Sequence, residues 1–413
     1  MRHRSRTSLL LTTALLLAAA GCSTKSSDSG TGGAATAGAV KTGPGISGNT
    51  VTLGVITDLT GPFASLGTDV TNAQVLYWEQ QNKAGGVCGK YQVKLDVKDT
   101  SYNVQQGVQL YSAAKGEVLA LQQLLGSPLN TALEQSLTAD KIVNIPTAWA
   151  RNLTAPPGNA IPGATYDVEM VNGLDYALTK GMLKEGDKIG HIYFEGEYGA
   201  NGLAGSKHFA SKHGMQVIEI KAKATDTDMS APVTTLRSAG VKAIALTISP
   251  TATASAAGVA AAQGLDVPLI GNNPVFVPAL LTGPSASALK ARLLIGSPVN
   301  SFEPHPQLLA DYKTRYPNAI PSLAVTLGTG AGEVMRQILD KACADGDLTR
   351  EGVLKAKQSL TDVDTKGLVV PLDFSQVGKS PSTKSFILQP ADVPGGAKAL
   401  TGPVEAVDVK SLG

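Results

Sequence analysis

The sequence predicts an α/β protein of two doubly wound parallel-sheet lobes, and three observations predict it. From Val51 onward, short β-branched runs alternate with amphipathic helical stretches, the pattern of a parallel sheet covered by helices on both faces. A Pro/Gly-rich interval from Ala155 to Gly163 interrupts this alternation, which then restarts as a second series of the same kind. The 413-residue chain, even without its first 48 residues, exceeds what one hydrophobic core usually serves, at a prior of about 150 residues per domain.

The N-terminus carries Arg2, Arg4 and Arg6, and Leu9 to Ala20 holds only Leu, Ala and Thr before Gly21-Cys22. That apolar run is short of the roughly 20 residues a spanning helix needs, so residues 1–21 read as a cleaved export signal. Ala19-Ala20-Gly21 ahead of a cysteine resembles the lipobox of bacterial lipoproteins, with Ala19 where Leu is usual. The resemblance implies that Cys22 is acylated and anchors the protein outside the cytoplasmic membrane; the alternative is a simple secretory signal with an incidental cysteine. Ser23 to Gly45 is almost entirely Ser, Gly, Thr, Ala, Lys and Asp without apolar periodicity, so residues 22–48 are expected to form a flexible tether.

Losing the signal takes three arginines from 35 basic residues, leaving 32 against 33 acidic ones. A balance near neutrality gives no electrostatic case for nucleic acid or for a polybasic membrane patch. No later apolar run is long enough to span a bilayer. Cys88 and Cys343 are the remaining cysteines, and export places them where disulfides form. They are either a bonded pair or two free buried thiols.

The first series begins with strand Val51 to Ile56 and helix Leu66 to Lys83, then strand Tyr91 to Val97 and a helix around Val104 to Ala114. Strand Val118 to Leu125, helix Thr131 to Asp140 and strand Ile142 to Ile145 complete it. The second series holds helix Val168 to Thr179, strand Ile189 to Phe194, helix Asn201 to His213, strand Gln216 to Ile220 and helix Ser230 to Ala239. It ends with strand Ala243 to Ile248, helix Ala252 to Gln263 and strand Val267 to Ile270. Helices near His305 to Tyr316, Leu323 to Ala342 and Thr349 to Ser359 are too helix-rich for a third sheet domain and are expected to cover the first lobe. Ligands of such sheets bind at the carboxyl ends of the strands, and here in the cleft between lobes.

Four stretches fall at the ends of these elements: Thr60-Gly61-Pro62-Phe63-Ala64-Ser65-Leu66-Gly67, Asn82-Lys83-Ala84-Gly85-Gly86-Val87, Glu197-Tyr198-Gly199-Ala200-Asn201-Gly202 and Asp226-Thr227-Asp228-Met229. Gly61-Pro62 makes a sharp turn off a strand, Gly67 lets the chain re-enter a helix close to whatever lies in the cleft, and Gly85-Gly86 supplies the left-handed geometry of a helix end. In order and spacing these stretches resemble the type I periplasmic binding proteins, the family of leucine/isoleucine/valine-binding proteins of ABC transporters. The resemblance implies three crossovers forming a hinge, near Asn159 to Thr165, Leu293 to Pro298 and Lys366 to Pro371. It implies a first lobe of residues 49–160 plus 297–366 and a second of 161–296 plus 367–413, closing on a small molecule for a membrane permease. No cofactor, metal or nucleic acid and no enzymatic role is expected, and a monomer is.

The resemblance also places the pocket. Phe63 and Leu66 follow the first strand, Leu66 standing where an aromatic is usual. Asn130 and Thr131 fall at a Ser-rich loop, as ligand donors or as helix caps. Ala148 and Trp149 follow the fourth strand, where Trp149 either stacks on a ligand or packs in the core. Tyr198 matches a second-lobe pocket tyrosine, and Thr251 falls at another pocket position. Asn273 lies where amino-acid binders place the carboxylate that pairs an ammonium. An amide cannot supply that charge, and a buried ammonium without a counter-ion costs several kcal/mol, so an ordinary α-amino acid is not the expected ligand.

Two rival classes are a sensor reporting to a membrane receptor and an exported hydrolase. Ser112 to Lys115 and Ser287 to Lys290 match S-x-x-K, but Lys41-Thr42-Gly43 precedes both serines, the reverse of the order that acyl-enzyme chemistry requires. There is no H-E-x-x-H, no zinc-type cysteine spacing and no G-x-S-x-G.

Overall fold

The computed structural model describes residues 40–412. The expected signal, Cys22 and the tether up to residue 39 lie outside the described residues. The end of that tether is built into the fold, where the short strands β1 (Lys41–Thr42) and β2 (Ile46–Ser47) open the described chain.

The first sheet contains β3 (Thr50–Thr57), β4 (Gln92–Asp99), β5 (Ala120–Leu125) and β6 (Asn144–Thr147) in the parallel order β4-β3-β5-β6, with β2 antiparallel to the start of β3. Helices α1 (Ala64–Lys83), α2 (Val104–Ala114) and α3 (Ser127–Ala139) form its crossovers. β5 is buried along its whole length although it carries Gln122 and Gln123. Their amides are spent internally: Trp78 Nε1 donates to Gln122 Oε1 at 2.9 Å and Gln123 Nε2 donates to Thr57 Oγ1 at 2.7 Å. Trp78 is therefore a core residue.

The second sheet draws on β7 (Lys188–Phe194), β8 (Gln216–Ala222), β9 (Ala243–Thr247), β10 (Leu269–Asn272) and β11 (Leu293–Ser297), parallel in the order β8-β7-β9-β10-β11. Around it lie α4 (Tyr166–Thr179), α5 (Glu197–Lys212), α6 (Ser230–Ala239), α7 (Pro250–Ala262) and α8 (Ala286–Arg292). In each sheet the first strand sits between the second and third, so each has a topological switch point where ligands bind. Several helices begin earlier than their apolar periodicity suggests, by two residues for α1, α4 and α7 and by four for α3 at Ser127 and α5 at Glu197. Pro128 and Pro250 sit in first turns, where the missing N–H of proline costs nothing.

Beyond β11 the chain returns to the first lobe with α9 (Pro306–Arg315), α10 (Ala324–Ala344), β12 (Asp347–Leu348) and α11 (Arg350–Gln358). α10 packs along α1, and β12 pairs with β1. Asp69 of α1 ties this return in place: its carboxylate accepts Tyr312 Oη at 2.8 Å, the Ser322 N–H at 2.8 Å and Ser322 Oγ at 2.6 Å. Cys88, after α1, is joined to Cys343, near the end of α10, by a disulfide. The chain then crosses back, and β13 (Phe386–Pro390) and β14 (Ala397–Ala399) extend the second sheet antiparallel from β11.

Residues 148–165, 298–305 and 359–385 thus connect the two lobes, and two of these connections touch: Val299 bridges Val369, and the Val370 N–H donates to Pro298 O at 2.8 Å. The second connection starts at Pro298, later than the stretch from Leu293 that the resemblance implied, because residues 293–297 are strand β11. Among the described residues no helix is long and apolar enough to cross a membrane.

Candidate functional site

The carboxyl ends of strands from both sheets face one cavity. Its first-lobe wall comes from Phe63, Leu66 and Val70 at the start of α1, Tyr102 after β4, residues 125–127, Thr147 at the end of β6 and Trp149 after it, and Leu323, Ala324 and Leu327 at the start of α10. Its second-lobe wall is Tyr166, Tyr198, Asn273, Pro274, Phe276 and Ile295. None of these lining residues is charged. The cavity volume is about 60 Å³, counted as room for the centres of water-sized groups.

Local chemistry fixes each wall. The buried Asp58 carboxylate accepts the N–H groups of Gly61 at 2.5 Å and Phe63 at 2.9 Å, folding the Gly-Pro turn and placing negative charge at the start of α1, where it is favoured. Gly67 does not approach the cavity: a Cβ there would stand 2.0 Å from Asp58 O, so its smallness serves the packing of α1 on that turn. Gly126 has φ +102° and presses on the Tyr102 ring, a position only glycine fills without strain. Gly85 and Gly86 have φ of +114° and +71° and end α1 in the left-handed geometry its sequence requires.

An aromatic chain runs across the cleft. Phe63 lies 5.0 Å from Tyr102 and 6.2 Å from Tyr198, Tyr198 is 4.7 Å from Tyr166, and Tyr166 is 5.7 Å from Trp149, all between ring centroids. The Phe63–Tyr198 and Tyr166–Trp149 contacts join one lobe to the other, at distances where edge-to-face pairs are attractive. Beside them, Arg151 pairs with the buried Asp167 of α4. Burial pushes the Tyr166 and Tyr198 phenols well above their ordinary value, so both are neutral. Tyr198 Oη donates to Ile248 O at 3.3 Å. Trp149 Nε1 is buried and has no hydrogen-bond partner among the described residues.

Under the second-lobe wall lies a polar relay. His191 meets Ser206 Oγ at 2.8 Å and Thr247 Oγ1 at 2.9 Å, and Thr247 Oγ1 donates to Asn272 Oδ1 at 2.9 Å. Asn272 Nδ2 donates to Glu169 Oε2 at 3.1 Å, and the same oxygen accepts the Asn273 N–H at 2.9 Å. Burial lowers His191 to about 3, so it is a neutral bridge. Burial also raises Glu169 well above the carboxylate range, against the hydrogen bonds from Asn273 and Asn272. Asn273 Oδ1 accepts from Ser297 Oγ at 2.9 Å.

Of the residues picked out from sequence, the structure brings Phe63, Leu66, Trp149, Tyr198 and Asn273 to the cavity. It places four elsewhere. Because α3 begins at Ser127, Asn130 lies inside the helix, where its amide donates to Leu124 O and Gly126 O, and Thr131 Oγ1 accepts from Asn152. Neither caps the helix; that position is Gly126. Ala148 is fully buried behind the wall, and Thr251 is exposed in the first turn of α7. Residues the sequence did not single out include Tyr102, Ser127, Tyr166, Phe276 and the α10 face. Among the described residues no group of His, Cys, Asp and Glu stands together as a metal site.

The model of the periplasmic binding protein family matches residues 50–396. A solved structure described as a fatty acid ABC transporter substrate-binding protein from Thermomonospora curvata is 38% identical, with a TM-score of 0.87 over 90% of this chain and 96% of that one. A valine-bound branched-chain amino acid ABC transporter protein from Thermus thermophilus shares the fold at 19% identity, TM-score 0.78, over 89% of this chain and 99% of that one. Leu/Ile/Val-binding protein homolog 3 of Brucella melitensis is 30% identical over 200 residues, which span 47% of this chain and 53% of the relative. With its two lobes, its interlobe cavity and these relatives, the chain belongs to the periplasmic binding protein family.

Proposed function

We propose that this chain is the solute-receiving component of an ABC importer, working outside the cytoplasmic membrane and anchored there through lipid on Cys22, and that its cargo is a hydrocarbon carboxylic acid of the fatty-acid class. The single observation that carries the cargo is the cavity wall: aromatic and aliphatic side chains from both lobes, with no charged group among them. An amino acid's ammonium would find no charged side chain in the cavity wall, where Asn273 offers only an amide. A hydrocarbon chain gains about 0.8 kcal/mol for each methylene taken from water. Its carboxylate suits the first turn of α3, where Ser127 lines the cavity and free N–H groups favour an anion, together with the Trp149 indole N–H. The 38% identical relative, described as a fatty acid transporter protein, supports this reading.

Ligand contacts to both lobes would favour the closed state, a population shift across the three connections, and a membrane permease would read that state. The proposed lobes are residues 49–160 plus 297–366 and 161–296 plus 367–413, acting as a monomer. The test is thermal unfolding of the domain with dodecanoic acid, leucine and valine in turn. A ligand at 100 times its dissociation constant stabilises by about 2.7 kcal/mol, so dodecanoic acid is expected to raise the midpoint while leucine and valine leave it in place. Stabilisation by leucine or valine and none by the acid would reverse the assignment.

A further inference from the structure

One amide interrupts the aromatic and aliphatic second-lobe wall. Asn273 follows directly on β10 and lines the cavity, and its surroundings hold it in place. Its N–H donates to Glu169 Oε2 at 2.9 Å, and its Oδ1 accepts from Ser297 Oγ at 2.9 Å. Its fully buried neighbour Asn272 ties the same strand end to Tyr166 O at 2.8 Å. Ser297 Oγ in turn takes the Val299 N–H at 3.0 Å and has Val299 O, at 3.0 Å, as a second acceptor for its proton. With its acceptor side engaged in this way, Asn273 keeps Nδ2 as a donor without a partner among the described residues. The neighbouring Tyr198 is already committed, since its Oη donates to Ile248 O.

The first-lobe wall carries two unpaired buried groups of its own, Ser127 Oγ and Trp149 Nε1. These receive the ligand's carboxylate in the function proposed above, so the amide on the other wall still needs an acceptor. A plain hydrocarbon chain offers none: pressed against Nδ2, it would displace water and leave a buried donor unsatisfied. We propose that Asn273 Nδ2 donates to an oxygen carried on the ligand's chain, and that the preferred cargo is an oxygenated fatty acid, with a keto or hydroxyl oxygen, over the plain acid. This rests on the fatty-acid reading of the cavity and narrows it to acids with an acceptor for each lobe. A site built to hydrogen-bond a ligand group discriminates strongly against an analogue that lacks it, far more than an apolar pocket does over one methylene. Because the two acceptors meet different lobes, the second bond also favours the closed state.

The test is calorimetric titration of the full folded domain with dodecanoic acid and with oxo- and hydroxydodecanoic acids whose oxygen is moved stepwise along the chain, each below its micelle concentration. In the unaltered protein at least one position is expected to bind about 5- to 150-fold tighter than dodecanoic acid, in both the oxo and the hydroxy form. Asn273→Leu removes the donor and is expected to abolish both gains while dodecanoic acid still binds. Asn273→Asp keeps the shape and the acceptor for Ser297 but offers the ligand no N–H. There the oxo gain is expected to vanish and the hydroxy gain to survive, because a hydroxyl can donate to the carboxylate; a merely structural role would move all three ligands together. If dodecanoic acid binds and no oxo acid improves on it, or if the gain persists in Asn273→Leu, the proposal fails while the fatty-acid reading stands. A gain for hydroxy acids alone in the unaltered protein would mean that the amide presents its oxygen, and also overturns the proposal. If none of these acids binds the unaltered protein, the fatty-acid reading fails and takes the proposal with it.

Discussion

Replacing Trp149 with Phe separates the two roles of this side chain, because it keeps a ring in the wall and removes the indole N–H. That donor is buried without a partner among the described residues, and an unsatisfied buried donor costs about 1–3 kcal/mol. Removing it returns that amount to the ligand-free protein, while the loss of roughly two ring carbons takes back about 2 kcal/mol. Stability is therefore expected to stay within about 1 kcal/mol of the unaltered protein, far from the 3–5 kcal/mol usual for truncating a buried aromatic to Ala. Binding moves differently. A hydrogen bond to a charged acceptor is worth about 1.5–3 kcal/mol, so if the indole N–H holds the carboxylate, Trp149→Phe weakens dodecanoic acid about 10- to 150-fold. Urea unfolding without ligand and calorimetric titration with it measure the two quantities on one sample. Unchanged affinity would show that the indole meets no ligand atom, and a stability loss of 3 kcal/mol or more, on the order of a full truncation, would show that the donor already has a partner in the folded protein.

Two further outcomes follow from the frame around the site. The Cys88–Cys343 bond closes a loop with a sequence separation of 255, so reducing it or replacing both cysteines with Ala is expected to cost about 2–5 kcal/mol in urea unfolding, and the oxidised domain without Cys22 should yield no free thiol when denatured; an unmoved midpoint would contradict this. Glu333 is almost buried; burial opposes its ionisation, but hydrogen bonds from Arg336, Tyr77 and Gln337 prevail and lower it to about 2 from an ordinary 4.5. Its folded value is depressed, so its stabilisation is complete above about pH 4.5 and is lost as pH falls through about 2. Glu333→Gln should thus differ most from the unaltered protein near neutrality and converge on it in acid, whereas a gap independent of pH would exclude this linkage.

The two-lobed fold was legible because helix and strand periods differ and because a Pro/Gly interval marks the passage from one series to the next. What escaped was structure fixed only by distant partners. β13 and β14 carry no β-branched alternation and exist because β11 offers them an edge. β1 is two residues long and is strand only because β12 lies beside it. In the site, Trp149 and Tyr198 were expected at the cavity only through the family resemblance, with core packing left open for Trp149. Tyr102 was not: it has φ +60° in a tight turn after β4, a conformation no local pattern announces for tyrosine. Tyr166 opens α4 directly after a connection between lobes, so only the folded arrangement reveals that it faces the cleft. Asn130 misled because its helix starts four residues before the apolar repeat that marks it.

The long separation between Cys88 and Cys343 has a consequence for how the molecule comes into being. A chain made and exported from its N-terminus presents Cys88 early, while its partner arrives only after every strand from β7 to β11 has followed. The second lobe is therefore an uninterrupted insertion that can be completed first, apart from its two late edge strands. The first lobe must wait with one face of α1 uncovered until α10 is delivered, exposing apolar surface to aggregation in the interval. Acylation of Cys22, as proposed, would spare the waiting thiol a wrong neighbour and leave it a single possible mate.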